Sequence, residues 1–405
     1  MTGQSSAQPS TVRFDRWGWA QIDVDAVRHN IVQLRAAAAP AQVWAVVKAD
    51  GYGHGAVDVA RAARSAGATG MCVALVHEGI ELRSAGIDGP VLVLSEQPPA
   101  QLSAAIAADL TMTVASVAGI QAVAAAAAAG DRGVAHRPGV HLKVDTGMHR
   151  VGCTPGEAVQ LAALVLSSGL RLDGVFTHLA VADEPDDAFT DSQLDRFDEV
   201  LADLRAAGID PGLVHAANSA GALAHPRARH SMVRAGIATY GISPGPGVER
   251  DAGFLRPALS LHARVSVVRR VLAGDRISYG LRHRFTVDTT VAVVPLGYAD
   301  GVPRRSFECG VEVLVGGRRR LVVGTVTMDQ MMIDCGHGGP GDDQVAVGDE
   351  VVLIGRQGDE NISATEWADR LNTIGYEIVC GISPRVPRVV IDPGIEPGID
   401  PGHGV

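Results

Sequence analysis

Eight short apolar runs recur between residues 43 and 240, and their spacing constrains the fold more than any other feature of the chain. Most are separated by stretches with helical periodicity, such as Val57–Ala66 and Asp191–Ala207, and several of these end at a glycine. Parallel strands buried on both faces have continuous apolar sequences, so these units predict an N-terminal (β/α)8 barrel. A doubly wound open sheet is the alternative, but it should carry GxGxxG after its first strand, and this chain does not. The eight runs are Val43–Lys48, Met71–Leu75, Pro90–Leu94, Thr111–Ala115, Val140–Val144, Gly174–His178, Leu213–Ala217 and Met232–Tyr240.

The pattern changes after Pro257. Strand-like segments separated by glycine-containing turns follow, together with one amphipathic stretch that predicts a helix over Ala364–Ile374. This pattern favours a mostly β C-terminal domain over residues 257–391, after a barrel over residues 17–256. The predicted strands of the β domain are Ser260–Val271, Thr289–Pro295, Val311–Val315, Arg320–Met328 and Glu350–Ile354.

The two ends of the chain carry separate expectations. The segment Trp17–Val24 is strand-like and precedes the barrel, so we expect it to pair with the β domain. We expect residues 1–16 to be flexible and residues 392–405, which repeat Pro-Gly units, to be disordered.

Composition excludes several classes of function. The 35 Lys and Arg residues are outnumbered by 45 Asp and Glu residues, so no nucleic-acid partner is expected. No apolar stretch approaches the ~18 residues of a membrane helix, and the N-terminus lacks an apolar signal segment, which predicts a cytoplasmic protein without membrane contact. The five cysteines include no CxxC, and no histidine cluster has ligand spacing, so we expect reduced cysteines and no metal site.

Lys48 ends the first predicted barrel strand, and barrel enzymes place their active sites at this end of the strands. A lysine there is partly desolvated, which favours its neutral, nucleophilic form and Schiff-base chemistry. Glycines 51, 53 and 55 allow the backbone to approach a cofactor closely. From this spacing alone, a surface lysine before a flexible loop is the commoner interpretation.

The segments after the seventh strand and in the eighth predict a phosphate site. The seventh strand leads through Asn218-Ser219 into a predicted short helix, and the eighth contains Gly236-Ile237. Barrels often bind phosphate here, because a hydroxyl and free backbone N–H groups at a helix start bind anions, although an ordinary helix cap is commoner. A Schiff-base lysine and a phosphate site across the barrel mouth together point to pyridoxal phosphate.

The segment Ala45–Gly55 (AVVKADGYGHG) resembles the cofactor-lysine signature of the alanine racemases, which are barrel-type pyridoxal phosphate enzymes. This motif alone also fits a racemase of another amino acid, but the similarity recurs along nearly the whole chain, and the motifs are jointly highly specific. The further motifs are His141–Met148 with Arg150, Thr177-His178, Ala182–Glu184, His215–Ala220, Met232–Arg234 with Gly236-Ile237, Ile277–Gly280, Gly297–Gly301, Met328–Gln330 and Tyr376-Glu377.

The resemblance implies interconversion of L- and D-alanine by two bases, supplying D-alanine for peptidoglycan, in a homodimer with shared active sites. Lys48 would hold the cofactor and act as one base, and Tyr279, supplied by the second subunit, would be the other. Arg234 would contact the pyridine nitrogen, and His178 would link Arg234 towards Tyr279.

The remaining implied roles concern binding. Arg150 would contact the phenolic oxygen of the cofactor and Met328 the substrate carboxylate. Lys143 would be a carbamylated lysine that orients Arg150, although an unmodified lysine paired with Asp145 is an alternative. The phosphate would be held by Tyr52, Ser219, Gly236, Ile237 and Tyr376.

Two other functions stay open at this point. One is racemisation of another small amino acid such as serine. The other is a non-catalytic pyridoxal phosphate-binding carrier, against which the motif at Tyr279 argues. Three positions depart from the family pattern: His149 replaces a usual glycine, Thr325 a common arginine and Pro384 a common tyrosine. We expect the last two to alter the substrate entrance.

Overall fold

The structure, a computed structural model, describes residues 16–130, 137–336 and 344–392. Two units make up the chain: one spans Ala26–Ala258, and the other combines the segment up to Asp25 with the segment from Leu259 onward. The expectations for the flexible N-terminus and the disordered tail lie almost entirely outside the described residues. Among the described residues, no helix is both long and apolar enough to cross a membrane.

The first strand of the described residues, β1 (Gly18–Asp23), belongs to the second unit. Eight parallel strands of the first unit then form one nearly closed sheet, which confirms the predicted barrel. Hydrogen bonds from Ser231 N to Val214 O and from Arg234 N to Ala217 O, both 3.0 Å, link its two end strands or the residues directly beside them. The eight strands are β2 (Gln42–Val46), β3 (Gly70–Val73), β4 (Val91–Val93), β5 (Thr111–Val114), β6 (Gly139–Lys143), β7 (Arg171–Phe176), β8 (Leu213–His215) and β9 (Met232–Ala235), in the sheet order β8-β7-β6-β5-β4-β3-β2-β9.

Helices connect most of these strands, and each buries one face. In the helix Phe189–Ala206, Leu194, Phe197, Leu201 and Leu204 recur at helical spacing and are all buried. Burial of each such side chain contributes ~1.5–3 kcal/mol. The helices of this unit are α1 (Val24–Ala38), α2 (Lys48–Gly53), α3 (Ala56–Ser65), α4 (Val76–Ser84), α5 (Pro99–Ala107), α6 (Val117–Ala128), α7 (Ala158–Ser167), α8 (Phe189–Ala206) and α9 (Ser219–Ala224).

The second unit is mostly β, as predicted. Its strands are β10 (Leu259–Arg264), β11 (Val267–Val271), β12 (Arg276–Ile277), β13 (His283–Arg284), β14 (Thr289–Val294), β15 (Glu312–Val315), β16 (Arg318–Leu321), β17 (Met331–Asp334), β18 (Glu350–Gln357), β19 (Glu360–Ile362) and β20 (Arg388–Ile391). The main sheet has the order β16-β15-β18-β10-β1-β20, with β19 paired to β18. Strand β1 pairs antiparallel with β10 and parallel with β20. A second sheet has the order β11-β14-β17, and β12 pairs with β13.

Three predicted elements of this unit differ from the structure. The segment Ser260–Val271 forms two strands, β10 and β11, which belong to different sheets. The strand predicted over Arg320–Met328 ends at Leu321, because the chain turns at Gly324, whose φ is +69°. The helix predicted over Ala364–Ile374 is α10 (Ala364–Leu371), which ends at Asn372 in a left-handed conformation before a separate helix α11 (Gly375–Cys380).

Candidate active site

Four cationic side chains lie at or beyond the C-terminal ends of the barrel strands. Lys48 follows β2, Lys143 ends β6, Arg150 follows in the next loop and Arg234 lies in β9. Lys143 is only 6% exposed, and burial, followed by the charges of Arg234, Arg150 and Lys48, lowers its pKa to about 8 against the opposing effect of Asp145. Lys48 and Lys143 are the only two lysines of the whole chain. Both therefore belong to one strongly positive cluster.

Arg234 is buried and held from several directions. Its Nη2 donates to the carbonyl oxygens of Thr177 and Ala216 at 3.0 and 2.9 Å, and lies 3.1 Å from His178 Nδ1. Its Nη1 lies 2.7 Å from His215 Nδ1. Burial lowers the pKa of Arg234 to about 10, which leaves the guanidinium protonated at neutral pH. The carbonyls and imidazoles therefore fix the orientation of a cation.

A third histidine, His141, extends this arrangement into the barrel. His215 Nε2 lies 2.8 Å from His141 Nδ1. Because a guanidinium can only donate, His215 Nδ1 accepts, so the His215 proton is assigned to Nε2 and is donated to His141. Burial lowers the pKa of His141 to about 4 and, with the charge of Arg234, holds the pKa of His215 well below its ordinary value.

The sequence motifs contained His141 and His215 but gave neither of them a role. The available signal was the strand period of two, since His141 and Lys143 lie two residues apart on β6 and share a face. The aromatic ring of Phe176 marks the same place, because it stacks on His215 with ring centroids 4.6 Å apart. The Lys143 Nζ lies 5.5 Å from the centroid of this ring, and the Arg234 guanidinium carbon lies 5.3 Å from it.

The residues predicted to hold phosphate meet beside Gly236. The backbone N–H groups of Gly236 and Ala238 donate to Ser219 Oγ at 2.9 and 3.2 Å. A Cβ added to Gly236 would lie only 3.0 Å from Tyr52 Oη and 3.6 Å from Ser219 Oγ. Ile237 is buried and begins the 3-10 turn Ile237–Tyr240. Two hydroxyl groups therefore flank a backbone position that has no side chain.

The turn after Lys48 has an uncommon backbone conformation. Ala49, Asp50, Gly51 and Tyr52 have φ between 51° and 59°, which makes the interior of α2 left-handed. For the three residues other than glycine, this conformation costs ~1–2 kcal/mol each. Neighbouring groups must therefore stabilise the turn.

Glu78 supplies part of that stabilisation, and sequence reasoning missed it. Its Oε1 accepts a hydrogen bond of 2.7 Å from Ala49 N, and its Oε2 accepts bonds of 2.8 and 3.0 Å from Ala74 N and Leu75 N. One carboxylate thus joins the segment after β2 to the start of α4. The available signal was only a glutamate in the first turn of a helix, which by itself predicts a cap.

The other three predicted site residues belong to the β unit. Tyr279 follows β12 and is 73% exposed. Met328 is also exposed, and its carbonyl oxygen accepts a hydrogen bond of 3.0 Å from Ala299 N. Tyr376 lies in α11 and is half-buried. Among the described residues, no group of three histidine, cysteine, aspartate or glutamate side chains could hold a metal ion.

A parallel barrel with a lysine after its first strand and three further cationic side chains at or beyond its strand ends is typical of a barrel enzyme that binds anionic groups. Residues 22–244 match the family model described as "Alanine racemase, N-terminal domain". Residues 258–390 match the model described as "Alanine racemase, C-terminal domain". The chain belongs to the alanine racemase family and is an amino-acid racemase.

Individual relatives support the same assignment over nearly the full length. The alanine racemase of Symbiobacterium thermophilum is 48% identical over 380 residues, covering 91% of this chain and 96% of the relative. That of Thermobifida fusca is 46% identical over 374 residues, covering 91% and 97%. The crystal structure of alanine racemase from D-cycloserine producing Streptomyces lavendulae superposes with a TM-score of 0.87 at 39% identity, covering 94% of this chain and 98% of that one. The Bacillus anthracis structure with bound L-Ala-P gives 0.85 at 40% identity, covering 95% and 97%.

Proposed function

We propose that this protein interconverts L- and D-alanine with pyridoxal phosphate as cofactor and with Lys48 and Tyr279 as the two bases. In this proposal the product D-alanine supplies peptidoglycan synthesis. The observation that carries the proposal is the cluster of Lys48, Lys143, Arg150 and Arg234, which holds both lysines of the chain at the barrel mouth. Such a cluster suits a ligand with a phosphate, a phenolic oxygen and a carboxylate.

The residues present fit the cofactor. Gly236 has no side chain, and a Cβ placed on it would lie 3.0 Å from Tyr52 Oη and 3.6 Å from Ser219 Oγ. Ser219 Oγ accepts two backbone N–H groups, so its hydroxyl proton takes part in neither bond and can be donated to phosphate. We assign the phosphate to Tyr52, Ser219, Gly236 and Ile237, with Tyr376 as a further contact. When bound, pyridoxal phosphate supplies an electron sink that makes the α-hydrogen of an attached amino acid acidic.

Arg234 is assigned to the pyridine nitrogen. Its hydrogen bonds to Thr177 O, Ala216 O and the two imidazoles hold the guanidinium in one orientation. An arginine gives up its proton reluctantly, so the nitrogen beside it stays largely unprotonated. The ring is then a weaker electron sink, which disfavours side reactions and leaves more of the work to the two bases.

His178 is assigned to support Tyr279. Its Nδ1 faces the Arg234 guanidinium and must accept, so its proton is assigned to Nε2. Burial, followed by the charge of Arg234, holds the pKa of His178 well below its ordinary value, so the imidazole is neutral. A neutral Nε2–H can donate to a phenolate oxygen, which would stabilise Tyr279 in the form that removes a proton.

Two bases on opposite faces of the α-carbon allow a proton to leave one face and return on the other without turning the substrate. We assign Lys48 to one face and Tyr279, supplied by a second copy of the chain, to the other. The exposure of the Tyr279 side chain supports this, since a catalytic phenol needs a surface that shields it from water. Arg150 is assigned to the phenolic oxygen and the substrate, and Met328 to the substrate carboxylate.

The test is a racemisation assay with alanine and serine, using wild type, Lys48→Ala and Tyr279→Phe. The proposal expects the highest kcat/KM with alanine, and loss of activity in both variants. A higher kcat/KM with serine would favour the alternative substrate. Cofactor binding without racemisation of any amino acid would favour a carrier, and full activity in Tyr279→Phe would exclude the two-base assignment.

A further inference from the structure

We propose that Thr325 is a positioning residue for Tyr279, because its hydroxyl fixes the turn that presents the phenol. This inference rests on the proposed function, in which Tyr279 is one of the two bases.

Two reciprocal hydrogen bonds join Thr325 to the segment at Tyr279. Thr325 Oγ1 donates to the carbonyl oxygen of Tyr279 at 3.0 Å. In return, Ser278 Oγ donates to the carbonyl oxygen of Thr325 at 2.6 Å. Thr325 is only 4% exposed, whereas the Tyr279 side chain is open to solvent. The buried threonine therefore holds the backbone of a residue that is itself largely exposed.

The turn over residues 278–281 has a backbone conformation that its residue types do not favour. Ser278 has φ 64° and ψ −176°, a region that essentially only glycine adopts, and Leu281 has φ 48°. Within the turn, Leu281 N donates to Ser278 O at 3.0 Å. Strained residues of this kind persist only when surrounding groups impose the conformation. The bonds from Thr325 and Ser278 supply that restraint on both sides of the peptide group between Ser278 and Tyr279.

A close backbone approach makes these bonds possible. Gly324 has φ +69°, and a Cβ placed on it would lie 2.8 Å from Ile277 Cγ2 and 2.9 Å from Ser278 Cβ. Only a residue without a side chain fits there, so the segment before Thr325 lies directly against the segment before Tyr279. The β-branched side chain of Thr325 also has few rotamers, which keeps its hydroxyl aimed at one carbonyl.

The test compares wild type, Thr325→Val and Thr325→Ser holoenzymes with alanine that carries deuterium at the α-carbon. The two enantiomers have equal free energy, so kcat/KM must fall equally in both directions, and the isotope effect identifies the slowed step. Thr325→Val loses the hydrogen bond to the carbonyl oxygen of Tyr279, which should lower kcat/KM about threefold to tenfold. The isotope effect on kcat/KM should rise for the enantiomer whose deuteron Tyr279 removes and fall for the other. Thr325→Ser keeps a hydroxyl and should recover most of the loss.

A second readout does not depend on catalysis or cofactor. Hydrogen exchange of the cofactor-free protein should quicken over residues 277–283 in Thr325→Val and return towards wild type in Thr325→Ser. Thr289→Val is the control, since Thr289 is buried in the same unit and its Oγ1 lies 2.5 Å from Asp334 Oδ1 and 3.0 Å from the carbonyl oxygen of Gly336. This control should lose stability but leave the isotope effects and the exchange of 277–283 unchanged.

The outcomes separate this inference from the proposed function. Wild-type isotope effects and exchange in Thr325→Val, or equal shifts in Thr289→Val, would overturn the positioning role. If Thr325→Val does not fold, Ser278→Ala removes the reciprocal bond and should shift both readouts in the same direction, and no shift there would also overturn it. Full activity in Tyr279→Phe would instead show that the proposed base is wrong.

Discussion

Lys143 is expected to react with carbon dioxide to form a carbamate, because its amine is buried among cations. The neutral amine attacks the carbon of carbon dioxide, a nitrogen–carbon bond forms and one proton is released to solvent. The reaction replaces a positive group by a negative one next to Arg150, Arg234 and Lys48, whose charges all act on this side chain. The charges that disfavour an ammonium group at this position favour a carbamate.

The size of the effect follows from the pKa of Lys143, which is lowered from 10.5 to about 8. At pH 8 about half of this amine is neutral, against about 0.3% of an ordinary lysine, so the reactive fraction is roughly 150-fold larger. The neutral fraction rises with pH through the folded-state pKa. Carbamate formation at a fixed concentration of dissolved carbon dioxide should therefore increase from pH 7 to pH 9.

The assay is ¹³C NMR of the holoenzyme in ¹³C-labelled bicarbonate. Only Lys48, Lys143 and the terminal amine can form a carbamate, because the chain has two lysines. We expect a protein-bound carbamate resonance in wild type that is absent in Lys143→Met. In this variant KM for alanine should rise about tenfold or more, since Arg150 loses a charge-assisted contact, whereas kcat should change less. A wild-type enzyme that shows no such resonance in saturating bicarbonate, or shows the same one in Lys143→Met, would refute this reasoning.

Three further outcomes are expected. Lys48→Ala should lose the visible absorbance of the cofactor's Schiff base and its covalent trapping by borohydride, and retained trapping would place the cofactor on Lys143, the remaining lysine. The variants Lys48→Ala and Tyr279→Phe, each inactive alone, should recover roughly a quarter of wild-type activity when they are reassembled together. About half of the dimers are then mixed, and each mixed dimer has one intact site of two. Mixed dimers that are confirmed by mass but have no activity would exclude a shared site. Glu78→Gln should lower the free energy of unfolding by ~1–3 kcal/mol in urea titration, since an amide cannot accept all three backbone N–H groups; an unchanged value would show that the turn after Lys48 does not need Glu78.

The barrel could be predicted because its strands are buried on both faces. A run such as Met71–Leu75 has no polar face to interrupt it, and the observed strand Gly70–Val73 differs only at its ends. The β unit was harder to predict. Ser260–Val271 is one continuous strand-like segment, and its division between two sheets is decided by partners far along the chain, Glu350–Gln357 for β10 and Thr289–Val294 for β11.

In the candidate site, too, local features could be predicted and those that depend on distant partners could not. Residues that act through their own chemistry, such as Lys48, could be proposed from their type and their place at a strand end. Glu78 and Thr325 act by holding the backbone of other residues, and a glutamate or threonine in a loop or first turn carries no sequence signal for that. The left-handed backbone angles at Ala49 and Tyr52 could not be predicted from the sequence either, because these residue types ordinarily avoid them.

The way Arg234 is held explains how the site can keep its positive charge. Within the described parts of the chain, its hydrogen bonds go to carbonyl oxygens and imidazole nitrogens, and it forms no ion pair with a carboxylate. A carboxylate partner would have fixed its orientation equally well but would have cancelled its charge. Carbonyls and neutral imidazoles satisfy the donors without doing so. In the proposed function, this retained charge lies beside the pyridine nitrogen and adds to the positive charge that favours a carbamate on Lys143.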